Sequence, residues 1–396
     1  METKSEECVE EIKNNIKKYI SSSKKYKISK ELIEIDLIKI GGYSNFNYRG
    51  IIKNISTNEI IEQIFYRKYG SKFGALTESV NHDIESLITE YLAKKGYGPK
   101  LLFEIKNDCS ISEFLIDTIT LPIEKCFNKD IIEQLCNILN YFTLISYSYK
   151  FTIDGDNLSL IPIEDVNNGE KINVTKNHYE KYVVGIYENT KTSFKVFSEK
   201  FMQKYSKEKN PKEWADFELA KSYLYNFPNL FKENFNNKGF LVLNHNDVFR
   251  FNILLREKDQ KTFLIDHEYF SLNLPGYDLA YYIVEYYIQY EPEYSMALKS
   301  VDFDKMYVFY ETFINKFIQE HKYFEKEEGG KDFIETIKRK SYFIKLINII
   351  NLSLFVWSIG NVKFEDWDKK QKNEFFFIHG IDRIKFYLEG TNALSQ

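Results

Sequence analysis

Apolar positions recur at helical spacing, amid Lys and Glu, from about Val9 to Tyr26, and predict a surface helix carried as an appendage. The period then shortens to two. IDLIKI from Ile35, FNYRGIIKNI after the turn GGYSN, a polar turn at Ser56 to Asn58, and IIEQIFYRK ending at Lys68 predict a three-stranded meander. A helical pattern returns from about Asn81 to Lys95 and stops at GYGPK, where Gly96, Gly98 and Pro99 break it. LLFEIK and SISEFLID, separated by Asn107 and Asp108, read as a further strand pair. From Ile123 onward helical patterns dominate, over Lys129 to Tyr149, over Asn177 to Tyr205, and again to about Asn234, with an irregular polar stretch from Asp154 to Glu170.

The change of pattern at Glu113 to Asp117 predicts an α+β chain in two lobes. A small β-rich N-terminal lobe spans 1–116, and a larger, mainly helical C-terminal lobe spans 117–396. A linker between such lobes is a natural cleft, and its backbone groups at Glu113 and Leu115 could pair with adenine. No internal repeat or low-complexity linker interrupts the chain.

The chemistry concentrates in LNHNDVFRFNILLREKDQKTFLIDHE, from Leu243 to Glu268. His245, Asp247 and Asn252 stand as H-x-D-x-x-x-x-N, the spacing of a kinase catalytic loop in which the Asp accepts a hydroxyl proton and the Asn holds Mg²⁺. Two apolar runs follow, Ile253 to Leu255 and Phe263 to Ile265, and the polar stretch between them predicts a hairpin. A hairpin makes neighbours of Asn252 and Asp266, an amide and a carboxylate suited to one hard cation. Gly41, Gly42, Ser44 and Asn45 form a turn where bare backbone N–H groups could approach a phosphate, although the same residues also make an ordinary tight turn. Arg67 ends the third strand and Glu85 lies in the following helix; protein kinases pair a strand Lys with such a Glu to position nucleotide phosphates.

Composition narrows the classes. Hydrophobic residues at 43% and charged residues at 28% exclude a disordered chain. A net charge of −4, with Lys interspersed among Glu and Asp, gives no basic patch for nucleic acid. Aromatics at 17% reduce the weight that any single Tyr or Phe can carry. Cys8, Cys109, Cys126 and Cys136 lack C-x-x-C spacing and read as free thiols of a reducing compartment. The N-terminus has no apolar signal core, and the run Leu346 to Val362, broken by Asn348 and Asn351, is too short to span a bilayer. A soluble, cytoplasmic protein is expected.

NHNDVFRFNILL and LIDHEYFSLNLPGYDLAYYIVEYYIQY resemble the choline/ethanolamine kinases, relatives of the aminoglycoside phosphotransferases and of the protein-kinase fold. Asp266, Glu268, Tyr269, Asn273, Gly276, Tyr277, Asp278, Glu285 and Tyr290 stand at matching positions, and GGYSN, FYRKYG and IESLITEYLAKKGYGPKLL match further elements. The resemblance runs from about Ile35 to Tyr387 and is weak over Asp154 to Asn234. It implies a bilobal kinase-like fold, ATP and Mg²⁺, and phosphorylation of choline or ethanolamine as the opening step of phospholipid synthesis. It further implies Asp247 as the base, His245 as the holder of the loop, Asn252 and Asp266 as Mg²⁺ ligands, and Glu268 as support for that metal. Tyr269, Glu285, Tyr290 and Trp357 would form the amine pocket, since a quaternary ammonium is recognised by aromatic faces and a nearby carboxylate. Homodimers are common in the resembling family. The chain departs from the family at Phe249, where a Gln is usual, at Leu354, where one of a Trp pair is usual, and at Ile378 or His379, where a Tyr is usual. Ethanolamine or another amino alcohol as acceptor, and a catalytically silent nucleotide-binding scaffold, remain alternatives at this level.

Overall fold

In the computed structural model, which describes residues 2–23, 32–40, 45–69, 82–106, 108–154, 157–162, 178–235, 241–287, 302–321, 325, 329–364 and 372–395, the first element is helix α1 (Glu2–Ser22). Its Ile12, Ile16, Tyr19 and Ile20 lie on one face and are buried against Ile33, Ile35, Ile52, Ile64, Tyr66 and Ile111 of a sheet. Asn15, buried on the same helix, donates to the Tyr66 hydroxyl at 3.1 Å. The expectation of an appendage is therefore corrected. An apolar sheet face must be covered, and α1 is its cover.

That sheet joins the expected meander and the later strand pair. β1 (Ile33–Ile40), β2 (Phe46–Asn54), β3 (Ile60–Lys68), β4 (Leu101–Ile105) and β5 (Cys109–Glu113) run antiparallel in the order β1-β2-β3-β5-β4. Helix α2 (His82–Lys95) precedes β4 and ends where Gly96 takes a φ of 72°, with Gly96 and Tyr97 N–H closing on Ala93 and Leu92 carbonyls.

Two compact units result, one comprising Met1–Ile119 with Leu254–Glu268, the other Thr120–Ile253 with Tyr269–Gln396. The expected hairpin is present as β10 (Ile253–Arg256) and β11 (Lys261–Leu264), with β6 (Thr118–Thr120) as a third strand beside β10. Leu264 N–H donates to the Tyr97 carbonyl at 2.9 Å, and Thr89 of α2 meets His267 Nδ1 at 3.1 Å, which fastens this segment to the first unit.

The second unit is mainly helical. Helix α3 (Lys129–Ser148) runs into a hairpin of β7 (Tyr149–Asp154) and β8 (Asn157–Pro162), and β8 lies within the stretch from Asp154 to Glu170 that was expected to be irregular. Then come α4 (His178–Lys204), α5 (Pro211–Asn234), β9 (Val242–Asn244), its antiparallel partner β12 (Ser271–Asn273), and α6 (Tyr277–Tyr287). Helices α7 (Phe303–Glu320), α8 (Gly330–Ile337), α9 (Lys340–Gly360) and α10 (Lys372–Ser395) complete it. Helix α9 is long and apolar enough to cross a membrane by length and composition, and 78% of its most apolar window is buried. It packs against α4, α5, α6 and α10, which accounts for apolar residues on every side. Cys109, Cys126 and Cys136 are buried free thiols.

Candidate active site

In the second unit, β9 delivers the chain to His245. Asp278, in the first turn of α6, accepts the backbone N–H of His245 at 2.7 Å on one oxygen and that of Asn246 at 2.8 Å on the other. Burial pushes the Asp278 carboxyl up to about 7, and the two N–H groups pull against that shift. Asn246 sits in the left-handed region at φ 65°, which Asn tolerates better than most residues. Its amide nitrogen donates to the Tyr269 carbonyl and the Ser271 hydroxyl, both at 2.9 Å, and its oxygen accepts from Asn273 at 2.8 Å. Gly276, at φ 80°, turns the chain into α6 where a Cβ would lie 2.7 Å from the Tyr310 ring. His245 is fully buried near the Phe142 ring. Asp278 and Asn246 hold the loop backbone.

The loop presents Asp247. Asn252 Nδ2 donates to Asp247 Oδ2 at 2.8 Å and to the Asp247 carbonyl at 2.9 Å, while the Tyr281 hydroxyl donates to Oδ1 at 2.9 Å. Since its amide hydrogens point at Asp247, what Asn252 can offer a cation is its amide oxygen.

In the first unit, Arg67 and Glu85 are brought together, Nη1 donating to Glu85 Oε1 at 2.6 Å. Nη2 donates to Asp266 Oδ1 at 3.0 Å, a partner that sequence reasoning did not assign to Arg67. Burial opposes the guanidinium charge, but Asp266, Glu85 and Glu268 together outweigh it and raise the Arg67 pKa. Asn45 Nδ2 donates to Glu268 Oε2 at 2.9 Å, and Asp266 takes a left-handed φ of 66°. Gly41, Gly42 and Ser44 lie outside the described residues. At the linker, Glu113 N–H is committed to the Lys100 carbonyl at 2.8 Å and the Leu115 carbonyl accepts from the Thr118 hydroxyl, so adenine would not find that N–H there.

Among the described residues, no three His, Cys, Asp or Glu side chains are grouped to hold a metal ion. Asp266 and Glu268 supply two carboxylates of the hard-oxygen type. Mg²⁺ commonly keeps several waters and takes only one or two carboxylates beside substrate phosphates, so a sparse set of this chemistry suits it.

Of the residues expected for an amine pocket, Glu285 has a charged partner of its own. Glu285 is buried on α6, and Arg383 of α10, with no exposed surface, donates to its Oε1 at 2.5 Å. The carboxylate expected to attract an ammonium already faces a resident cation. Arg383 Nε also donates to His379 Nε2 at 3.2 Å, which leaves the proton of a neutral imidazole on Nδ1, facing Ser358. Burial and the Arg383 charge hold His379 well below its usual range. The His379 ring stands edge-on to Trp357, centroids 6.4 Å apart, and Trp357 also meets Phe376 at 5.5 Å. Trp357 and Glu285 thus belong to one network with His379 and Arg383. Tyr269 packs on Tyr182 at 5.7 Å, and Tyr290 lies outside the described residues.

Residues 35–388 match the profile of the family described as choline/ethanolamine kinase. The chain belongs to this family. An Arabidopsis thaliana protein named a probable ethanolamine kinase is 26% identical over 257 residues, which make up 65% of this chain and 57% of that relative's length. The crystal structure of choline kinase from Cryptosporidium parvum Iowa II superposes with a TM-score of 0.62 at 17% identity, covering 98% of this chain and 96% of the other. A Plasmodium vivax ethanolamine kinase gives 0.50 at 16%, covering 91% and 83%. At such identities the structures speak for the fold, which is that of the choline/ethanolamine kinases.

Three residues of this family member escaped assignment from sequence. Asp278 stood in the matched signature without a role. Arg383 carried a usable signal, a cation four residues after His379 on an otherwise apolar helix face, since buried Arg is rare without a partner. Tyr281 carried none, as one Tyr among 30.

Proposed function

We propose that the protein transfers the γ-phosphoryl group of ATP to the hydroxyl of choline, with ethanolamine as a second acceptor. The observation that carries this reading is the Asp247 carboxylate, fixed on one oxygen by Asn252 and on the other by Tyr281. A carboxylate so held can align a hydroxyl for in-line attack. The hydroxyl oxygen bonds to phosphorus, the bond from phosphorus to the β,γ-bridging oxygen breaks, ADP departs, and the hydroxyl proton passes to Asp247. Arg67, kept charged beside Glu85, is suited to the nucleotide phosphates. Asp266 and Glu268 would hold Mg²⁺ in the first unit, and Asn252 presents an oxygen of the same hard type in the second. When bound, Mg²⁺ neutralises charge on the phosphates.

The preference for choline over ethanolamine rests on Arg383. A primary ammonium gains most from a carboxylate that can accept its N–H groups, and here Glu285 is already engaged. A quaternary ammonium depends more on aromatic faces, which Trp357 and Tyr269 supply. ATP consumption measured in parallel with choline, with ethanolamine and without acceptor tests the reading. Acceptor-dependent turnover with choline is expected. Turnover with ethanolamine alone overturns the choline assignment, and none with either amine overturns the kinase reading.

A further inference from the structure

Asp247 is gripped from two sides, and the grips differ in kind. Asn252 lies five residues further along the same loop, so its hydrogen bond to Oδ2 moves with the loop. Tyr281 belongs to α6, three residues after Asp278 and therefore on the same face of that helix. One rigid element thus holds both the loop backbone, through Asp278, and the carboxylate itself, through the Tyr281 hydroxyl at 2.9 Å from Oδ1. The other groups around this corner are occupied differently. The Tyr277 hydroxyl pairs with that of Tyr179 on α4, Asp278 accepts backbone N–H groups, and His245 is buried near Phe142. Tyr281 is itself buried with its ring 6.1 Å from Tyr277, and a phenol has only two side-chain torsions to restrain.

We infer that Tyr281 is a positioning residue for the phosphoryl transfer, its phenol O–H fixing the plane of the Asp247 carboxylate so that it meets the acceptor hydroxyl in one orientation. The inference deepens the function proposed above and rests on it. A carboxylate has about four acceptor positions, so Tyr281 and Asn252 do not exhaust it.

Tyr281→Phe removes the hydroxyl and keeps the ring. Two measurements test the inference. In protein labelled with ¹³C at Asp side-chain carboxyls, with the Asp247 resonance assigned by its loss in Asp247→Asn, that resonance is expected to shift at one fixed neutral pH in Tyr281→Phe. In steady-state assays, kcat is expected to fall by about three- to thirtyfold, with KM for ATP and amine within about twofold. Tyr282→Phe serves as the control, because that hydroxyl donates to the Cys126 carbonyl at 2.6 Å and lies on the same helix; kcat and the Asp247 resonance should stay at wild-type values. An unmoved Asp247 resonance, or a Tyr281→Phe protein with wild-type kcat, overturns the inference. A wild type that turns over neither amine overturns the proposed function instead, and the NMR comparison then still decides whether Tyr281 holds Asp247.

Discussion

The Glu285 carboxylate and the Arg383 guanidinium meet at 2.5 Å, although 98 residues separate them and neither side chain is more than 4% exposed. Removing one member of such a pair strands a charge in the interior. Arg383→Leu is expected to cost about 3–5 kcal/mol of stability. Adding Glu285→Gln to that variant should recover part of the loss, and urea unfolding of the single and double variants measures both. If the double variant is no more stable than Arg383→Leu, the pair is not what holds the three helices of this network together.

Asp247→Ala removes the group to which Asn252 and Tyr281 donate. Acceptor-dependent ATP turnover should fall to less than about a tenth of wild type, with the far-UV circular dichroism spectrum and thermal midpoint largely kept, because loop residues serve the site more than the core.

Asp266 has two duties, a hydrogen bond from Arg67 and the proposed hold on Mg²⁺. Asp266→Asn keeps an oxygen for Arg67 but loses the anion. The Mg²⁺ concentration giving half-maximal turnover should rise by about tenfold or more, and a titration of activity against Mg²⁺ reads it. An unchanged requirement removes Asp266 from the metal assignment.

His321 titrates against the fold. Burial holds its imidazole down to about 4, against a partial opposing pull from the Asn140 backbone. Its neutral form is the one the folded state accommodates, so the contribution is complete above the unfolded value near 6.5 and is lost as the pH falls toward 4. Between pH 7 and pH 5 this amounts to about 2 kcal/mol. Asp278 works in the opposite direction: its raised value means a contribution present at low pH that declines as the pH rises toward 7. That contribution is common to wild type and His321→Phe, so it cancels when their changes over the interval are compared. Over the same interval His321→Phe should lose about 2 kcal/mol less than wild type in urea unfolding.

Leu354 and Trp357 share a half-buried stripe on α9, three residues apart. A second aromatic face there should favour the ammonium that depends on faces alone, by about twofold to thirtyfold. Leu354→Trp should therefore raise the ratio of kcat/KM for choline to that for ethanolamine. A ratio that stays level or falls means position 354 does not face the amine.

What could be read from sequence was what lies close along the chain. The loop from His245 to Asn252 and the hairpin before Asp266 are local, and spacing alone carries them. The role of α1 was not legible, because a helix covering a sheet and a helix on a surface show the same period, and only the partner face distinguishes them. The Glu285 pairing with Arg383 was equally hidden. It joins α6 to α10, and no periodicity encodes a contact between distant helices. For Tyr281 the obstacle was abundance, since a chain this rich in Tyr gives no reason to single one out.

Neither unit is continuous in sequence: the first is interrupted by residues 120–253 and finished only by Leu254–Glu268, and the second is interrupted by that same Leu254–Glu268 segment. A nascent chain leaving the ribosome therefore exposes the first unit without its closing hairpin until most of the second unit's leading helices have emerged. Arg67 then waits for Asp266 while Glu85, much nearer along the chain, is already in reach. Fragments cut at 119 or at 253 would each leave a unit lacking part of itself, so neither place divides the chain into two self-contained halves.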